Sequence, residues 1–143
     1  MSYFFVLFVL FCIMREMTEN KSILLIDDDE LVREACCELL QISGYTVDSA
    51  RNGYEALQKL EGAAYDLIVV DINMPQIDGI DFYLRAVRQN ANMKNRFLFI
   101  TGDYYGEQEA LNLYLKADRT ILKKPFTKEA FLKNVKDVLS KTP

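Results

Sequence analysis

The 143-residue chain contains no histidine, so imidazole metal sites and His-based acid–base catalysis are excluded from the start. Its three cysteines, Cys12, Cys36 and Cys37, are odd in number and form no CxxC pair, which argues against a disulfide framework or a thiolate zinc site. Reduced thiols and a cytoplasmic location are the expectation. No basic stripe appears, and 21 acidic against 17 basic residues leave a net charge of −4, which speaks against nucleic acid as a partner. There are no repeats, no linker and no low-complexity tract. The longest apolar run, residues 3–14, is about a dozen residues, short of the roughly 20 that span a bilayer.

What is present is a globular composition, 50% hydrophobic and 27% charged, long enough for one domain with a real core. Residues 1–20 stand apart as an apolar N-terminal extension carrying Phe4, Phe5, Phe8 and Phe11, with no preceding Lys or Arg and no small-residue cleavage site. The extension reads first as a loosely attached tail or an upstream stretch translated from a start misassigned ahead of Met17, with an extra packed helix or a membrane or partner anchor as the alternatives, and residues 21–143 as the domain proper. Without the anchor, no membrane association is expected.

From Lys21 onward, apolar runs alternate with stretches of helical period five times. Strands are expected over 22–26, 45–49, 67–70, 96–101 and 120–123, the second on an edge because Thr46 and Asp48 interrupt it. Helices are expected over 30–43, with Val32, Ala35, Cys36, Leu39 and Leu40 inward, and from a cap at Asn52 reciprocated by Glu55. Further helices are expected over 80–89, over 107–116, and after Thr127, with a polar loop at 90–95. Gly44 stands where a helix favours a left-handed residue. Strands separated by helices predict right-handed crossovers and a parallel α/β sheet covered on both faces.

The strand ends carry the chemistry. Asp71 closes a buried run and is followed by Pro75 and Gly79, so the chain turns there. The first strand ends in Asp27, Asp28 and Asp29, the fourth in Thr101, Gly102 and Asp103, and the fifth in Lys123, Lys124 and Pro125. In a parallel sheet these ends share the edge where α/β folds bind ligands. Close carboxylates repel unless protonated or joined by a cation, and an all-oxygen donor set suits a hard ion, Mg²⁺ first. A carboxylate beside such an ion and an ammonium can act as a nucleophile toward a phosphoryl group.

With these pieces assembled, residues 22–141 resemble the receiver domain of two-component response regulators. The likeness rests on Asp27, Asp28 and Asp29 after an apolar strand, on Asp71 with Pro75, Asp78 and Gly79, on Thr101 with Gly102, and on Lys124, Pro125 and Phe126. It implies a flavodoxin-like fold of strand order 2-1-3-4-5. It implies Asp71 as the phosphoacceptor, served by a histidine kinase or phosphotransfer protein. It further implies a Mg²⁺ held by Asp28, Asp71 and the backbone carbonyl of Asn73, with Asp27 acting through a water. Lys124 would pair with the phosphoryl group and Thr101 would hydrogen-bond it. The protein would be no general enzyme, catalysing only its own phosphorylation and dephosphorylation, with Asp103 influencing the latter.

Thr101 movement would repack the face formed by the helix at 107–116, the fifth strand and the last helix, switching a downstream protein target. A monomer or weak dimer is expected. No output stretch is recognisable, so action by protein contact, as a stand-alone regulator, is expected. Ile121 replaces the aromatic common on the fifth strand of the family, and Lys116 and Ala117, followed by Asp118, stand where the family commonly has Gly-Ala. Two other readings stay open. A haloacid-dehalogenase-type phosphatase also uses a strand-end Asp pair, but here no Thr follows it at the usual spacing, and neither a later acidic pair nor room for a cap is seen. A constitutive interaction module would keep the fold but not need the full acidic set.

Overall fold

The computed structural model describes residues 2–19, 21–102 and 121–141. In chain order the elements are α1 (Ser2–Glu19), β1 (Ser22–Ile26), α2 (Glu30–Ile42), β2 (Thr46–Ala50), α3 (Gly53–Gly62), β3 (Leu67–Asp71), α4 (Gly79–Gln89), β4 (Phe97–Thr101), β5 (Ile121–Lys123) and α5 (Lys128–Lys141), with a 3₁₀ segment at Ala91–Asn95 before β4. The helix expected at 107–116 lies outside the described residues.

The five strands form one parallel sheet in the order β2-β1-β3-β4-β5, the flavodoxin-like arrangement. Alternation along the strands splits the core in two, because successive side chains point to opposite faces. Leu24, Ile26, Ile68, Val70, Phe97 and Phe99 pack with Ala56 of α3 and with Phe82, Tyr83 and Ala86 of α4. Ile23, Leu25, Leu67, Val69, Leu98 and Ile100 pack with Cys36 and Leu40 of α2 and with Phe131, Val135 and Val138 of α5. β1, β3 and β4 are covered on both faces, which is why their sequences read as continuous apolar runs.

Local signals fix the helix ends. Asp29 caps α2, its carboxylate accepting from Leu31 N and Val32 N, and Asp78 caps α4 by accepting from Asp81 N at 2.7 Å. Thr127 Oγ1 accepts from Ala130 N at the start of α5, and Gly44 has φ of 95°, the left-handed conformation expected after α2. Four local expectations need correction. β2 starts one residue later than its pattern suggested, because Tyr45 turns into the core instead of joining the ladder. Glu55 reciprocates the Asn52 cap through Arg51 N rather than through Asn52 N. Ala35 is exposed, since only Cys36 and Leu40 of that helix reach full burial. The expected loop at 90–95 is a 3₁₀ turn that buries Met93 under Phe97 and Tyr83.

Candidate functional site

Strand register alone brings the acidic groups together. Ile26 pairs with Val70, so Asp27 leaves β1 beside Asp71 at the end of β3. Thr101 pairs with Lys123, which puts Lys124 one residue beyond the end of β4. Asp27 continues the parity of Ile23 and Leu25, Asp71 that of Leu67 and Val69, and Lys124 that of Leu122. All five of those apolar residues belong to the α2/α5 core. The two carboxylates and the ammonium therefore emerge on the same side of the sheet edge. Thr101 has the parity of Phe97 and Phe99 and emerges on the other.

Lys124 Nζ donates to Asp71 Oδ2 at 3.0 Å and to Asp27 Oδ2 at 3.3 Å. Asp27 and Asp71 are only 2% and 4% exposed, whereas the lysine side chain is 28% exposed. Each buried carboxylate also accepts from backbone: Asp29 N to Asp27 Oδ1 at 2.9 Å, and Asn73 N to Asp71 Oδ1 at 3.0 Å. Asp28 stands exposed at the mouth, and carboxylate oxygens of Asp27, Asp28 and Asp71 lie within 4.8 Å of one another.

The charge balance is uneven, with three carboxylates facing one ammonium. Burial pushes the Asp27 carboxyl above the usual carboxylate range, reinforced by the neighbouring Asp71 charge and only partly offset by the Asp29 amide and Lys124. Burial alone would lower Lys124, but the hydrogen bond to Asp71 and the charges of Asp27 and Asp71 outweigh it and raise its pKa. The cluster thus has a surplus of negative charge that one lysine does not neutralise. Three carboxylates without sulfur or nitrogen ligands make a donor set that fits a hard divalent cation of the Mg²⁺ class.

The loop after Asp71 is held close to the strand. Gly79 N donates to Ile72 O at 3.0 Å, and a Cβ at position 79 would lie 2.6 Å from Asp71 O and 2.8 Å from Ile72 Cα. Only glycine fits there. Gln76, at φ of 69°, completes the turn, and the Lys124–Pro125 peptide bond is cis. Beside Lys124 an apolar recess of about 510 Å³ is lined by Val32, Cys36, Pro125 and Phe126, among others.

Of the residues singled out in the sequence, Asp27, Asp28, Asp71 and Lys124 converge. Thr101 is buried at the same edge, but its hydroxyl donates to Gly102 O at 3.3 Å and not to the cluster. Asn73 lines the edge through its amide, close to Gly102. Asp103 and the residues at 116–118 lie outside the described residues. Sequence reading missed Arg33, whose Nη1 donates to Asp27 O at 2.8 Å and ties α2 to the start of the acidic loop. A spacing of six residues between a helix and a loop carries no pattern that could have revealed it.

Residues 23–136 match the family model described as response regulator receiver domain. Among solved structures, the chemotaxis protein CheY4 of Vibrio cholerae is 32% identical with a TM-score of 0.74, covering 82% of this chain and 98% of its own. The response regulator protein TrrA of Thermotoga maritima, solved in complex with Mg²⁺–BeF, is 31% identical with a TM-score of 0.68, covering 82% of this chain and 98% of that one. The CpxR homolog of Haemophilus influenzae, a transcriptional regulatory protein, is 35% identical over 85% of this chain, which spans 51% of that relative's length.

Proposed function

The chain belongs to the response regulator receiver domain family of two-component systems, and from that premise we propose that Asp71 is its phosphoacceptor. The observation that carries this reading is Lys124 Nζ, 3.0 Å from Asp71 Oδ2 and 3.3 Å from Asp27 Oδ2. An ammonium held at the nucleophile by a second carboxylate is positioned to accept charge that develops on a phosphoryl group.

In the proposed reaction a carboxylate oxygen of Asp71 attacks the phosphorus of a phosphohistidine on a histidine kinase or phosphotransfer protein. The P–N bond breaks, its electron pair returns to the imidazole, and an acyl phosphate forms on Asp71. The Asn73 amide, donating to Asp71 Oδ1, orients the carboxylate so that Oδ2 is the attacking oxygen. Lys124 then exchanges its Asp71 contact for a phosphoryl oxygen while Asp27 retains it at the site. Asp28, Asp71 and the Asn73 carbonyl would hold a Mg²⁺, with Asp27 contributing through a water; the ion supplies charge neutralisation at the phosphoryl oxygens.

The Thr101 hydroxyl, spending its hydrogen bond on Gly102 O, turns to the new phosphoryl oxygens. That rotation starts beside β5, where Ile121 occupies the place of the family's switch aromatic, and alters the surface offered to a downstream protein target. Asp103 orients the water that later removes the phosphoryl group, which gives a transient signal.

The test is intact-mass spectrometry after incubation with Mg²⁺ and acetyl phosphate. The native chain gains a labile phosphoryl adduct, and Asp71→Asn and a chelator control do not. An adduct that survives Asp71→Asn would move the acceptor to another residue and refute the assignment.

A further inference from the structure

The helix α1 plays no part in the acidic site, and its composition is unlike that of every other described helix. Between Ser2 and Met14 it carries no charged residue; charge begins at Arg15 and Glu16. Six consecutive residues, Tyr3 to Phe8, are apolar and exposed, between 51% at Val6 and 83% at Tyr3. Successive helical side chains are about 100° apart, so six in a row sweep the whole circumference. The helix therefore has no polar face. Only its C-terminal half, through Phe11 and Met14, borders the domain, at a recess shared with Ile42, Tyr45 and Leu132.

A helix apolar on all sides is buried on all sides in its working state. A second copy of the chain would cover one stripe of it, as in a coiled coil, and leave the remaining phenylalanines in water. Hydrocarbon covers every direction and asks for no charge, which matches a segment that has none. The chain's net charge of −4 disfavours an anionic surface and favours a zwitterionic one. No described helix is long and apolar enough to cross a membrane. Thirteen residues extend about 20 Å, less than the roughly 30 Å hydrocarbon thickness.

We propose that the segment from Ser2 to Met14 inserts into one leaflet of a zwitterionic lipid bilayer without spanning it, tethering the receiver domain to a membrane surface. In the sequence Tyr3 at one end and Arg15 at the other mark the polar boundaries. Beyond its first turn the backbone donors are satisfied within the helix, as hydrocarbon requires, while the free N–H groups of that turn lie at the Tyr3 boundary. The acidic strand edge is not part of the insert and stays in water.

The experiment is flotation of the full-length chain with phosphatidylcholine vesicles, beside the full-length double variant Phe5→Glu, Phe8→Glu and the conservative Phe8→Leu. The native chain and Phe8→Leu float with the vesicles at both low and 0.5 M salt, because the attraction is apolar and unscreened. The double variant drops in bound-to-free ratio on the order of tenfold or more. Phosphoryl adduct formation at Asp71 is the same in all three, which shows that each is folded and separates this test from that of the acceptor site. A native chain that stays with the unbound fraction overturns the proposal, whether it sediments as a monomer or as an oligomer built on the helix. So does a double variant that floats as well as the native chain.

Discussion

Two carboxylate–lysine clusters in this molecule use the same groups and end in opposite states. At the lower part of β2, Asp48 Oδ1 accepts from Lys59 Nζ at 2.6 Å, Asp48 Oδ2 accepts from Tyr65 Oη at 2.8 Å, and Ser49 N adds a third donor. Lys59 completes its own set with Ser49 O and lies 3.9 Å from Glu55. One carboxylate thus meets several donors in a half-exposed place, and although burial works against it, the Lys59 and Tyr65 hydrogen bonds hold its carboxyl below the usual range. At the strand edge two buried carboxylates share a single lysine with an exposed third carboxylate beside them, and Asp27 is pushed up. Matched donors make a structural clasp; a surplus of buried negative charge makes a place that gains by taking in a cation or losing charge to one.

The largest expected contrast comes from removing each lysine. Lys124→Ala leaves two buried carboxylates facing each other and costs about 2 kcal/mol in a chelator, discounted for the partial exposure of the lysine. Lys59→Ala removes a screened pair and costs about 0.5 kcal/mol. Urea unfolding of both variants measures the ratio, and equal losses would dissolve the distinction. Next, the aspartates respond with opposite sign. Asp27→Asn relieves burial and repulsion and stabilises the chain by about 1 kcal/mol in a chelator, whereas Asp48→Asn destabilises it by about 0.5 kcal/mol.

The smallest effects are in pH dependence at the clasp. The Asp48 contribution is present above the ordinary carboxylate pKa of 3.8 and fades as pH falls through the depressed folded value. Tyr65, pushed up to about 12 by burial and by its bond to Asp48, keeps its contribution below its ordinary value of 10.0 and loses it as pH rises from there toward 12. Unfolding at a series of pH values shows both slopes in the native chain. Tyr65→Phe makes the alkaline slope shallower without removing it, because Tyr45, Cys36 and Lys124 are pushed up as well; an alkaline slope unchanged in that variant denies Tyr65 a share.

The same contrast explains what the sequence made legible. Asp27 and Asp71 each end an apolar run and Lys124 follows a short one by two residues, so periodicity and the parallel topology place them at one edge from the sequence alone. The caps at Asp29, Asn52, Asp78 and Thr127 are local and equally readable. The clasp was not visible, because Asp48, Lys59 and Tyr65 come from a strand, a helix and a loop with no fixed spacing, and each alone looks like a solvated residue. The Thr101 hydroxyl was expected at the cluster, yet strand alternation turns it to the opposite face and onto Gly102 O. The need for glycine at position 79 shows only when the Asp71 backbone is seen beneath it.

The most direct test of the central claim, that the strand-edge surplus is a cation site and the clasp is not, is thermal unfolding against added Mg²⁺. At a concentration about ten times the dissociation constant, binding to the native state raises stability by about 1.4 kcal/mol. The account predicts, for the native chain and for Asp48→Asn, a rise that grows with the logarithm of Mg²⁺ concentration above the dissociation constant, and its loss in Asp28→Asn, whose exposed carboxylate contributes little to stability by itself. A native chain indifferent to Mg²⁺, or an unchanged rise in Asp28→Asn, would contradict it.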